Sequence, residues 1–474
     1  MLFNSIEFLL FLPIVFILYW FVFRQLKVQN ILILFASYVF YGWWDWRFLS
    51  LILASTLVDY SIGILLSKTD ANKKRKLFLY FSLLFNLGLL GIFKYYNFFI
   101  DNWINLWDSL GVSMNRSSLN IILPVGISFY TFQTLSYTID VYRKKLTPTR
   151  NFIAFASFVA FFPQLVAGPI ERASNLLPQF YKKRIFNYEK AVSGMKLILW
   201  GLFKKIVIAD NCAIYVNDVF DNYQDQSGMT LVLGAIYFSF QIYGDFSGYS
   251  DIAIGTARLF GFDLMRNFNY PYFSRDIAEF WRRWHISLST WFRDYLYIPL
   301  GGSRGNRFKQ IRNVFIIFLV SGFWHGANWT FIFWGGLNAL FFIPLLVFKK
   351  NRNHINIVAE NKILPSIKEF GQIIFTFIIT SFAWIFFRAG NLHHAFNYIY
   401  SLADLDGFFS GIFKRKFLLI IVSIFILIEW FSRKSEIPVI YQNKYRVFFY
   451  MLTFFLLIYF SSSDEVTSFI YFQF

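Results

Sequence analysis

Residues 313–348 read NVFIIFLVSGFWHGANWTFIFWGGLNALFFIPLLVF, a run of 36 residues without Asp, Glu, Lys or Arg. As one helix it would reach ~54 Å, against a hydrocarbon core of ~30 Å. Basic residues bracket it: Arg304, Arg307, Lys309 and Arg312 before, and Lys349, Lys350 and Arg352 after. Both ends are therefore expected on the cytoplasmic side, with the run folding back on itself. His325 lies 12 residues in from Asn313, at a depth of ~18 Å, past mid-bilayer and near the turn. Gly322 and Gly326 would let the chain bend there or let helices approach closely. A histidine in hydrocarbon is costly and marks a candidate functional site.

Composition agrees with that reading along the whole chain. Of 474 residues, 57% are hydrophobic, 23% aromatic and only 15% charged. The sequence predicts an all-α, polytopic membrane protein, with 1–474 as a single membrane domain. The net charge of +18 follows from Lys and Arg gathered in short loops, so the positive-inside bias explains it and no nucleic-acid partner is expected. The single cysteine, Cys212, excludes an internal disulfide and argues against a thiolate metal site. The N-terminal apolar run lacks a basic leader and a small-residue cleavage site, and is expected to be a retained span.

Hydropathy predicts spans at 6–23, 31–43, 48–66, 77–93, 121–142, 152–167, 191–208, 231–254, 313–323, 329–348, 373–387, 417–431 and 447–460, about a dozen helices that cross or enter the bilayer. Basic loops at 24–27, 68–76 and 143–150 put the N-terminus outside and those loops in the cytoplasm. Beyond residue 170 the alternation fails, because Lys182-Lys183-Arg184 and Lys204-Lys205 flank one span on both sides. Re-entrant or interfacial segments would account for that.

Residues 275–297 do not read as a plain span. On a helical period, Trp281, Trp284, Leu288, Trp291, Phe292 and Tyr295 form one stripe with His285 at its edge, while Arg275, Arg282 and Arg293 share the adjoining face. One reading is a surface helix with its arginines among lipid headgroups. The other is a re-entrant element offering His285 and arginines to a ligand. The latter suits acyl transfer. His325 would take the proton of an acceptor hydroxyl as it attacks a thioester carbonyl. His285 would orient it, assist the leaving thiolate or polarise the carbonyl. Arg282, Arg283 and Arg293, beside Trp284, would hold the donor's phosphates. The plainer alternative is a structural His325 bonded to a neighbouring helix, and two histidines without a carboxylate are a weak metal site, so no metal is expected. Asp245 and Asp251, in an otherwise apolar helix, would orient a histidine, line a wet cavity or simply bond helix to helix.

Several blocks in order along the chain resemble the membrane-bound O-acyltransferases (MBOAT), and most of all the bacterial alginate O-acetyltransferase type of membrane subunit. They are residues 123–133 (LPVGISFYTFQ), 162–172 (FPQLVAGPIER), 245–251 (DFSGYSD), 284–289 (WHISLS) with 295–302 (YLYIPLGG), and 324–326 (WHG). The resemblance implies that His325 is the intramembrane catalytic histidine and His285 its cytoplasm-facing companion; Trp324, Asp245 and Asp251 are candidate supporting residues on the reading of the residues themselves. It implies helices ringed around a thin centre with a funnel on each side, in the bacterial cytoplasmic (inner) membrane. The acyl group would be acetyl, drawn from acetyl-CoA or an acyl-carrier thioester with no bound cofactor. It would pass to an extracytoplasmic SGNH-hydrolase-type partner or to a polysaccharide. D-alanyl or other acyl transfer to teichoic acid or peptidoglycan keeps the chemistry and changes the group or acceptor. A secondary transporter, or a structural subunit of a polysaccharide export complex, is the alternative of a different class; the former predicts internal repeats, and none is visible.

Overall fold

The computed structural model describes residues 1–114, 122–166, 168–403, 408, 416–461 and 469–470. Every regular element among them is helical. The predicted start of one span at Ile121 and the end of another at Ala167 lie outside the described residues. Among the described residues, four helices are long and apolar enough to cross a bilayer: Trp46–Ser67, Asn72–Ser109, Trp329–Val347 and Ile367–Arg388. Shorter apolar helices are Ile6–Val22, Leu26–Gly42, Phe152–Leu165, Phe417–Ser432 and Arg446–Ser461. These lengths do not establish the dozen crossings expected from the sequence.

The differences have local causes. The predicted span 77–93 is the middle of the 38-residue helix Asn72–Ser109, whose later part carries Lys94, Asp101 and Asp108 and so falls in hydropathy. The span predicted from 152 is interrupted after Ala160, with a separate turn Phe162–Leu165; Pro163 has no N–H to continue the ladder. The span 191–208 becomes helix Tyr188–Leu202 running into the wider π-helical turn Phe203–Ala209.

The chain packs as two compact units, Met1–Gly194 with Thr256–Met265, and Met195–Gly255 with Arg266–Phe474. In the first, helices Leu49–Ser67, Asn72–Leu90 and Ile127–Tyr142 enclose Asp59. Its carboxylate accepts hydrogen bonds from Ser82 Oγ at 2.5 Å, Thr138 Oγ1 at 2.7 Å and Asn86 Nδ2 at 2.8 Å. Where lipid weakens the hydrophobic drive between helices, such bonds supply part of the association, ~1 kcal/mol each.

In the second unit, Gly201 and Gly248 sit backbone to backbone. A Cβ on Gly201 would stand 2.5 Å from the Gly248 carbonyl oxygen. That approach lets Lys204 reach Asp251 at 2.6 Å, and Lys205 reach Asp210 at 2.7 Å and Asp245 at 3.0 Å. The uncharged run forms a hairpin of helices Arg307–His325 and Trp329–Val347, each 19 residues, or ~28 Å, close to the thickness of a hydrocarbon core. Asn306 and Asn328 cap the two N-termini by accepting from Lys309 N and Thr330 N, each at 3.0 Å. A Cβ on Gly322 would collide with the Phe331 carbonyl, and one on Gly335 with that of Phe318. Glycine at both positions therefore sets how closely the hairpin closes.

Candidate active site

His325 is the last residue of its helix and is buried. Its ring lies among Trp324, Phe387 and Trp334, at centroid distances of 4.9, 5.3 and 5.3 Å. Trp334 in turn stacks on Trp384 at 5.4 Å. The imidazole is thus fixed in plane by aromatic edges and faces.

His285 sits at a break. The sequence suggests one continuous helix over 275–297, but there are two seven-residue helices, Ile277–Arg283 and Ile286–Phe292, then a π-helical turn Arg293–Tyr297. His285 itself has φ 44°, in the left-handed region, which costs a non-glycine residue of order 1–3 kcal/mol. Residues 267–269 run across the break. Asn269 N donates to Arg283 O and Ile286 N to Asn267 O, both at 2.9 Å, so the open end of each helix finds a backbone partner.

The Asn267 side chain does more. Its Oδ1 accepts from Ser287 N at 3.3 Å and Ser287 Oγ at 2.9 Å, and lies 3.1 Å from His285 Nδ1. A backbone N–H can only donate, so an oxygen must face it. His285 Nδ1 shares that oxygen and therefore carries the ring proton, leaving Nε2 with its lone pair and no hydrogen-bond partner among the described residues. Burial pushes the His285 pKa down to about 3, so the ring is neutral at physiological pH. A neutral ring protonated on Nδ1 accepts at Nε2; it cannot polarise a carbonyl from there.

Both histidines line one cavity of about 250 Å³, together with Trp284, Ser321, Arg293 and Arg352. The ring of Trp324 is 6.1 Å from that of His285. Of the three arginines predicted for the donor, only Arg293 lines the cavity; it is largely exposed and pairs with Asp294 at 2.7 Å. Arg282 instead donates to the carbonyls of Asn351 at 2.8 Å and His354 at 2.7 Å. Arg283 pairs with Glu279 at 2.8 Å and also donates to Asn269 O and Asn356 O. Asp245 and Asp251 are engaged by lysines as described and are not among the lining residues. Arg352 and Asn267 were missed by sequence reasoning. Arg352 looked like an ordinary flanking charge, and no motif ties Asn267 to a histidine 18 residues later. No group of three or more His, Cys, Asp or Glu suited to a metal ion occurs among the described residues.

Residues 39–387, which include both histidines, match the sequence profile of MBOAT, the membrane-bound O-acyltransferase family. The chain belongs to this family. Among relatives of this MBOAT protein, a "Probable alginate O-acetylase AlgI" of Azotobacter vinelandii is 42% identical over 83% of this chain and 76% of its own. A "Peptidoglycan O-acetyltransferase" of Helicobacter pylori is 36% identical over 86% of this chain and 80% of its own. A "Teichoic acid D-alanyltransferase" of Streptococcus thermophilus is 31% identical over 47% of this chain and 56% of its own. The MBOAT protein is an enzyme, an O-acyltransferase, and a membrane protein with several apolar helices. Membership of a transferase family answers the transporter and structural-subunit alternatives.

Proposed function

We propose that this MBOAT protein moves an acetyl group from a cytoplasmic thioester across the bacterial inner membrane for O-acetylation of an extracytoplasmic polysaccharide, with His325 as the base. The observation that carries the reading is the shared cavity of about 250 Å³, lined by both histidines and by Arg293 and Arg352. That volume lies below the usual range for pockets that bury a drug-sized ligand, which favours a short acyl group over a long chain. His325 takes the acceptor hydroxyl proton as the oxygen bonds to the thioester carbonyl carbon. The C–S bond then breaks, and the proton returns to the departing thiolate. The carbonyls at the C-terminus of its helix favour the positive charge that forms in between. His285, through Nε2, accepts a hydrogen bond from donor or acceptor and orients it. Arg293 and Arg352 attract the phosphates of acetyl-CoA or of a carrier's phosphopantetheine.

In this reading the helices ring a thin centre with a funnel on each side, the protein is multi-pass, and a secreted SGNH-hydrolase-type partner completes delivery. D-alanyl transfer is the second reading, favoured by the teichoic acid relative. That match spans less than half of this chain, whereas the acetyl-transferring relatives match most of it.

The deciding experiment measures ester-linked acetate and ester-linked D-alanine on the cell's surface polysaccharides. It uses a deletion strain complemented with wild type or His325→Ala, with membrane levels of both checked. Acetate restored by wild type alone is the expected result. Restoration by His325→Ala would overturn the base, and restoration of D-alanine instead of acetate would move the assignment to the second reading.

A further inference from the structure

We propose that a basic cavity in the first unit, walled by Trp20 and residues 174–190 and 258–263, binds a phosphate group at the membrane surface, held there as the headgroup of an anionic phospholipid. The cavity measures about 650 Å³ and shares no lining residue with the histidine cavity. Lys182, Lys183, Arg184, Lys190 and Arg258 line it, against one acid, Asp263. That acid is already used, since Lys190 Nζ reaches it at 2.8 Å.

Of the remaining cations, Arg184, Lys182 and Lys183 have no carboxylate partner among the described residues. Arg184 is buried between the rings of Tyr19 and Phe262, and donates to Asn30 Oδ1 at 2.6 Å and to the carbonyl of Gln179 at 3.2 Å, all neutral. Its charge is fixed in place and left for an anion to balance. Arg258 donates to Ser193 Oγ at 2.8 Å. Lys182 and Lys183 are exposed, and neither has an ion-pair partner among the described residues. A positive-inside loop needs basic residues, but nothing in that bias gathers five of them around one concavity.

The apolar part of the wall selects the occupant. Trp20 lies in the last turn of the apolar helix Ile6–Val22 and is anchored by its indole N–H to Leu259 O at 2.9 Å. Its ring packs against Phe186 at 5.4 Å. Ile185 and Phe186 line the same cavity with 79% and 46% of their surface exposed. Exposed aromatic and aliphatic groups next to cations are the pattern of the headgroup level of a bilayer. A free phosphate would need only the cations; a diacyl lipid uses both parts.

The test uses the full-length protein, delipidated in neutral detergent. It is titrated with short-chain phosphatidylglycerol, short-chain phosphatidylcholine or inorganic phosphate, and read by native mass spectrometry and thermal shift. Phosphatidylglycerol should bind in preference to phosphatidylcholine and weaken as salt rises. The exposed pair Lys182→Gln/Lys183→Gln should fold normally and lose about 30-fold in affinity, the cost of two cations near a membrane surface. Inorganic phosphate that binds as tightly as the lipid and displaces it would overturn the lipid as occupant and make the source a soluble phosphate. No preference between the lipids, or no change in the double variant, would overturn the site itself.

Discussion

The rings of His325 and Trp334 meet edge to face at 90°, their centroids 5.3 Å apart. Such a pair contributes ~0.5–1.5 kcal/mol beyond buried area and holds the imidazole plane. His325→Gln should therefore keep the packing and lose transfer by roughly 10²–10⁴-fold, the usual worth of a positioned base. Trp334→Phe should keep most stability and lose a few-fold in rate, because a smaller ring holds the imidazole less well. Turnover and unfolding midpoint measured on both variants check this. A His325→Gln enzyme with wild-type turnover would remove the base from the mechanism.

Asn267 is expected to act through His285. Asn267→Ala strips the acceptor from Ser287 N–H and His285 Nδ1–H, at ~1–3 kcal/mol for each buried group left unpaired. The turnover number should fall more than KM rises. Asn267→Asp restores an acceptor and adds a charge that favours protonated His285, so the acid limb of the pH–rate profile should move to higher pH. An Asp variant with an unshifted profile would separate Asn267 from the chemistry.

His285 also makes stability depend on pH, and the sign follows from its lowered pKa. The folded ring titrates at about 3 and the unfolded ring near 6.5. Between those values only the unfolded chain binds the proton. The contribution of the neutral ring is complete above pH 6.5 and declines as pH falls toward 3, by ~1.4 kcal/mol per unit. Unfolding midpoints recorded from pH 7.5 to 5 should show this slope in wild type and a shallower one in His285→Gln. Parallel curves would contradict the assignment.

Neighbouring glycines of the hairpin should behave oppositely. Gly335→Ala puts a methyl group against the Phe318 carbonyl and should cost ~1–3 kcal/mol as overpacking. A Cβ on Gly336 meets only Leu319 Cδ2, at 3.6 Å, so Gly336→Ala should be neutral or stabilising by up to ~1 kcal/mol through helix propensity. Thermal unfolding of the two purified variants decides the matter, and equal effects would mean that the close backbone approach is not what limits the first.

Arg293 and Arg282 should separate binding from structure. Arg293→Gln is expected to weaken the donor about two- to five-fold at low salt, with little change in stability, as befits an exposed charge. Arg282→Gln frees the carbonyls of Asn351 and His354 and should lower the unfolding midpoint instead. Donor titrations at two salt concentrations, alongside melting curves, distinguish them.

The helical class and the burial of His325 in an apolar surround were legible because both rest on a long-range absence of charge, which hydropathy reads directly. The hairpin was legible for the same reason, since 36 uncharged residues exceed one crossing. The break at His285 was not. Its aromatic stripe fits a continuous helix, and the break depends on Asn267, brought in by tertiary packing. The arginines show the same limit. Arg282, Arg283 and Arg293 look alike in sequence, but the carbonyls of Asn351 and His354 engage the first, and Glu279 with the carbonyls of Asn269 and Asn356 engages the second. Likewise Asp245 and Asp251 resembled cavity acids until Lys204 and Lys205, some 40 residues earlier in the chain, were seen to face them.

The ring of aromatics around His325 draws on three helices, and Phe387 is translated 62 residues after the histidine it covers. A nascent chain halted before that point holds both histidines and the whole hairpin, yet lacks one side of the surround. During biosynthesis the imidazole must wait until Ile367–Arg388 arrives, so the order of insertion is part of how the aromatic surround of His325 comes into being.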